Sequence, residues 1–151
     1  MARSSITITG VLEAKIVAEN GLSLSIETEF ILNSDGSTKQ DCELAAFYRL
    51  AKRLKKRFPQ LNICMLLDGL YMADPVFNII DKYNWKYIIV FKEGSMPDTY
   101  REYLCLKSLC PENIKEIKNN NIIQNYSWVN CISYRGPVFD VLGCNESKTG
   151  S

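Results

Sequence analysis

An α/β fold built on a mixed sheet is the class this sequence predicts, from three observations. The stretch "GVLEAKIVAENGLSLSIETEFI" alternates residue types on both sides of an Asn-Gly pair, as a β-hairpin does. After it, amphipathic helical patterns alternate with two short apolar runs, the signature of strand-helix-strand units. From Pro111 onward the chain carries strand and turn signals and no convincing helix.

Each element has its own reason. Asn20-Gly21 is the strongest turn signal, because both residues tolerate positive φ. Before it, Val11, Glu13, Lys15 and Val17 alternate with Leu12, Ala14, Ile16 and Ala18. After it, Leu22, Leu24, Ile26, Thr28 and Phe30 share one face, and Ser23, Ser25, Glu27 and Glu29 the other. The two glutamates therefore point away from the apolar face, toward solvent. "NSDGSTKQ" is a loop in which Ser37 and Gln40 suit a capping box. The helix it opens runs to about Phe58 and buries Leu44, Phe47, Leu50, Ala51, Leu54 and Phe58.

Pro59 ends that helix. "LNICMLL" reads as a strand over 61–67 covered on both faces. Asp68-Gly69 follow, then Asp74-Pro75 as an N-cap with proline at the first helical position. The helix through about Tyr83 buries Val76, Phe77, Ile79 and Ile80. "KYIIVF" is a second strand, parallel to the first because a helix joins them. Pro97 opens a third helix that ends before Pro111. Beyond it, Tyr126, Trp128, Asn130, Ile132 and Tyr134 share one alternation, and Val138 to Gly143 forms a further strand. Turn signals at Asn119–Asn121 and Arg135-Gly136-Pro137 make this a small β-meander, with "NESKTGS" frayed.

Composition narrows the chemistry. With 46% hydrophobic and 23% charged residues, 151 residues suit one soluble globular chain. A net charge of +1 gives no global pull toward nucleic acid, so any basic surface is local. No histidine is present, which removes His-based triads, His general bases and imidazole zinc sites. Cys42, Cys64, Cys105, Cys110, Cys131 and Cys144 show no C-x-x-C spacing. Without an evident signal peptide they read as reduced, mostly buried cysteines of a cytoplasmic protein. No apolar run reaches membrane-span length, so no membrane partner is expected.

Two features carry possible function. Lys52, Arg53, Lys55, Lys56 and Arg57 crowd the last turns of the first helix. Cations suit a helix C-terminus and a solvated face, and the same cluster, with Lys82 and Lys86, suits contact with DNA phosphates. Asp68 closes the first parallel strand, at the carboxyl edge where open α/β sheets place ligands.

Three phrases in order, the hairpin above, "KQDCELAAFYRLAKRLKKRFPQLNICMLLDGLYMADPVF" and "WKYIIVFKEGSMPDTYREY", resemble consecutive parts of a bacterial DDE transposase of the IS4-like kind. The resemblance spans roughly residues 8 to 146. It implies a partial ribonuclease-H-like core over 1–110, ordered hairpin-helix-strand-helix-strand-helix, and a β-rich insertion over 111–151. It also implies DNA as partner and two Mg²⁺ ions held by two aspartates and a glutamate, which activate the attacking oxygen and stabilise the leaving one.

Only Asp68, in "LLDGLY", matches a family ligand, the second aspartate. The family's first aspartate precedes the hairpin, where residues 1–10 carry no acid. Its glutamate follows the insertion, and this chain stops at Ser151. The resemblance thus implies a fragment with one catalytic and metal-binding residue, inactive alone. Glu27, Glu29, Asp74, Asp98 and Glu102 are the acids from which a replacement cluster would have to come. The alternative expectation is a non-catalytic remnant that binds DNA or self-associates through unpaired strand edges.

Overall fold

The computed structural model describes residues 7–34, 36, 38–133 and 137–148, without the side chains of Gln40 and Asp41. These residues make a mixed α/β structure of three α-helices and three small sheets, with no closed barrel. The chain divides into two compact units, Met1–Ile89 and Val90–Ser151.

In the first unit, β1 (Ile8–Val17) and β2 (Ser23–Leu32) form an antiparallel hairpin. Its loop has three residues. Gly21 N–H donates to the Ala18 carbonyl at 2.9 Å, and Ala18 N–H to the Leu22 carbonyl at 2.9 Å. Gly21 alone there takes positive φ, 82°. Asn20 contributes its side chain instead, accepting from Leu22 N–H at 3.0 Å. This is a three-residue turn with a left-handed glycine, not a two-residue turn needing both positions left-handed.

Helix α1 (Lys39–Arg57) buries Phe47, Leu50, Ala51 and Leu54 of the stripe that its spacing predicts, while Leu44 and Phe58 at the ends of that stripe are half-buried. The Ser37 capping box lies outside the described residues. After Pro59 come β3 (Cys64–Leu67), a 3-10 turn (Gly69–Tyr71), α2 (Asp74–Lys82) and β4 (Lys86–Ile89). β3 and β4 pair in parallel, Cys64 opposite Lys86 through Leu67 opposite Ile89. Val76, Phe77 and Ile80 of α2 are buried. The N-cap of α2 is Ala73, with no side-chain cap, and Asp74 sits inside the first turn rather than capping it.

Two expectations about the sheets are corrected. The hairpin and the parallel pair do not join into one mixed sheet. They meet through side chains instead: Leu12, Ala14 and Ile26 from the hairpin, and Ile63, Met65, Leu67 and Tyr87 from β3, β4 and the segment before them, pack on one cluster built around α1 and α2. Nor is β3 covered on both faces. Cys64 and Leu66 are exposed while Met65 and Leu67 are half-buried, because the described helices of this unit cover one side only.

The second unit holds α3 (Pro97–Leu109), β5 (Ile114–Asn119), β6 (Ile122–Ser133) and β7 (Val138–Lys148). The strands form an antiparallel meander in the order β5-β6-β7. Asn120, φ 53°, turns the chain between β5 and β6. Tyr103 of α3 is buried with Val129, Ile132 and Val141, so α3 packs within this unit, although the sequence groups it with residues 1–110.

The simple alternation expected of β6 is broken. A register shift between Val129 and Ile132 leaves Cys131 at φ 59° with its N–H on Asp140 Oδ1 at 3.0 Å. This β-bulge carries Ile132 to the buried face of Ser127 and Val129. Tyr134, Arg135 and Gly136 lie outside the described residues. So do Thr149–Ser151, but Asn145–Lys148 are strand, paired to 122–125, and not frayed. All six cysteines carry free thiols, and only Cys42 is buried. The others sit on strand faces, on α3 or at the end of α3, where packing does not reach.

Candidate functional site

Asp68 follows the last residue of β3 and is the N-cap of the 3-10 turn. Its Oδ1 accepts Leu70 N–H at 2.9 Å, and its carbonyl accepts Tyr71 N–H at 3.2 Å. An aspartate before glycine folds this way because its short carboxylate reaches the amide two residues on. Asp68 itself is exposed. The turn swings Tyr71 into the main cluster, where its ring lies 5.2 Å from that of Phe47. Burial, then the carboxylates of Glu43 and Asp68, push the Tyr71 hydroxyl up to about 12. Asp68 and Glu43 thus both bear on one buried phenol, a neighbourhood that sequence spacing does not reveal.

The basic end of α1 is largely engaged. Arg49, Arg53 and Arg57 recur every four residues and line one side of the helix. Opposite them, Glu27 and Glu29 face α1, with side chains only 18% and 12% exposed. Arg49 Nε lies 3.1 Å from Glu29, Arg53 Nη2 lies 3.4 and 3.1 Å from Glu27 and Glu29, and Arg57 Nη1 lies 3.3 Å from Glu27. The same guanidiniums donate to the carbonyls of Phe30, Thr28 and Ile26 along the outer edge of β2. They form a ladder that neutralises both glutamates and closes that edge. The expectation that Glu27 and Glu29 face solvent is therefore overturned. A two-residue period separates two faces but does not say which is covered, and the arginine spacing is the signal that does.

The remaining cations divide. Lys55 Nζ donates to the carbonyls of Pro59 at 2.9 Å and Tyr83 at 3.4 Å, a helix-end role. The side chains of Lys52 and Lys56, one turn apart, are exposed with no ion-pair or hydrogen-bond partner among the described residues, as are those of Lys82 and Lys86. Of the five cations crowded at the end of α1, only Lys52 and Lys56 are thus left uncommitted to offer a phosphate.

Glu27 and Glu29 are held by arginines, and Asp74 lies in the first turn of α2. Asp98 pairs with Arg101 one turn along α3, and Glu102 is exposed on the same helix, in the second unit. Among the described residues, no group of three His, Cys, Asp or Glu side chains is placed to hold a metal ion. A single exposed carboxylate, one oxygen already accepting an amide, is not the donor set that Mg²⁺ requires. These residues do not fit a two-metal centre, and no strand-cleavage step is assigned to them. No helix of the described residues is long and apolar enough to cross a membrane.

No family model, curated protein or solved structure matches the chain.

Proposed function

We propose that the chain is part of an IS4-like DDE DNA transposase, that Asp68 is the acid it contributes to the metal site, and that alone it neither cleaves nor joins DNA. The observation that carries this reading is the position of Asp68. It closes β3 at the carboxyl edge of a parallel pair joined through α2, behind a hairpin and a helix, in the element order that the resemblance implies. The inactivity follows from the donor set: phosphoryl transfer by two metals needs more than one carboxylate.

Two experiments test the two halves. Supercoiled plasmid incubated with the protein and Mg²⁺ or Mn²⁺ should stay intact; nicking that disappears in Asp68→Asn would overturn the inactivity. The DNA flanking the reading frame tests the descent. An aspartate-bearing strand segment upstream and a glutamate-bearing helix downstream are expected, and flanks that encode neither would remove the transposase reading.

A second reading, a DNA-binding module without catalysis, is supported by Lys52, Lys56, Lys82 and Lys86. Four phosphate contacts would give a log-log salt dependence of about −3.6. Retention on DNA that ignores salt, or no retention at all, would overturn it.

A further inference from the structure

We propose that two copies of this chain pair through the outer edge of β7, antiparallel, with the two-fold axis at Cys144. The inference is independent of the transposase reading.

The backbone directions follow from one hydrogen bond. Trp128 N–H donates to the Asn113 carbonyl at 3.2 Å, on the β5 side of β6. In an antiparallel ladder a residue bonded toward one neighbour is not bonded toward the other. Leu142, opposite Trp128, is therefore in a non-hydrogen-bonded pair and turns its N–H and C=O outward. By alternation so do Cys144, Glu146 and Lys148, opposite Tyr126, Gln124 and Ile122. None of these backbone groups has a partner among the described residues. All four residues are exposed, Leu142 at 65%. The free edge of β2, by contrast, is closed by the arginine ladder.

A strand edge takes a strand, and among registers that overlap along the whole of Leu142–Glu146 the side chains favour one. With the axis at Cys144, Leu142 lies opposite Glu146 of the second copy, and Lys148 opposite Asp140 of the second copy. Two opposite-charge pairs result. An axis at Gly143 sets Asp140 against Glu146, and one at Glu146 sets that residue against itself; both are repulsive. The interface is isologous and joins two three-stranded meanders into one six-stranded sheet.

Light scattering across a concentration series should show a species of twice the chain mass. In that species, hydrogen exchange at the amides of Leu142, Cys144 and Glu146 should slow. Cys144→Pro removes an outward N–H, a change that an edge strand accepts, together with the thiol's hydrogen bond to Tyr126, and should return the protein to monomer with an unchanged circular dichroism spectrum. Should that variant unfold, Lys148→Glu gives the second reading: self-association weaker by roughly tenfold at low salt, with the difference shrinking at high salt. A wild-type protein that stays monomeric at its highest soluble concentration overturns the proposal. So does a dimer whose three amides remain unprotected, or one that neither variant weakens.

Discussion

Gly143 stands opposite Ser127 on the buried side of the meander, and a Cβ built on it would lie 2.4 Å from Tyr103 Oη and 3.3 Å from Ser127 Oγ. Tyr103 is buried and its hydroxyl shares a 3.4 Å hydrogen bond with Ser127, so the ring has little room to yield. Gly143→Ala should cost about 1–3 kcal/mol, the usual range for overpacking. Tyr103→Phe in the same chain should recover most of that loss, because it deletes the clashing oxygen; additive effects in the double variant would refute the contact. Tyr71 supplies a pH prediction. Its hydroxyl is pushed up to about 12 by burial and by Glu43 and Asp68, whereas an unfolded tyrosine titrates near 10. Between those values the folded chain keeps a proton that the unfolded chain releases, so stability falls as pH rises from about 10 toward about 12. Below that window the group contributes no slope. Tyr71→Phe should flatten this alkaline decline, and a decline of unchanged steepness would dissociate it from Tyr71. At this scale Asp68 was legible in the sequence as a strand-closing residue, but its proximity to Tyr71 and Glu43 was not. Glu43 lies 25 positions upstream of Asp68, and only the packing of α1 on the turn connects them.

The element that most changes the functional reading is α1. Its arginine ladder holds two half-buried glutamates, so Glu27→Gln with Glu29→Gln leaves three guanidiniums facing neutral amides. That double variant should lose about 1–3 kcal/mol in urea unfolding, with a smaller loss at high ionic strength. An unchanged midpoint would class the ladder with surface ion pairs of no net worth. Element identity was largely legible, because periodicity is local: the buried stripe of α1 and the parallel pairing of β3 with β4 are as the residue spacing predicts. Pairing between elements was less so. Whether β1–β2 joins β3–β4 depends on side chains such as Arg49, Arg53 and Arg57, which take the carbonyls of β2 that a neighbouring strand would use. The bulge at Asn130 and Cys131 escaped for a related reason. It inserts one extra residue into one strand only, so the alternation read from that strand alone carries through to the wrong face.

At the scale of the whole chain, each compact unit has its own buried cluster and its own tryptophan. The first unit centres on Phe47, Leu50, Ala51, Leu54, Tyr71, Val76, Ile80 and Trp85, eight buried residues supported by a second group at Ile31, Cys42 and Ala46. The second centres on four, Tyr103, Val129, Ile132 and Val141, with Trp128 half-buried on β6. Apolar burial is the dominant stabilising term, so the unit with fewer buried side chains should open first. The chain's two tryptophans make this measurable without added probes. In Trp85→Phe the fluorescence reports the second unit through Trp128; in Trp128→Phe it reports the first through Trp85. Trp85 is 6% exposed and its indole N–H has no hydrogen-bond partner among the described residues, so its emission should begin blue and shift strongly on unfolding. In guanidinium titrations the Trp128 transition should precede that of Trp85, with each slope smaller than one fitted to the whole chain. Each substitution perturbs the unit it leaves silent, so the circular dichroism of the unmodified chain must span both midpoints. Coincident transitions in all three proteins would mean that the two clusters unfold as one cooperative body, and the division at Ile89 would then carry no thermodynamic meaning.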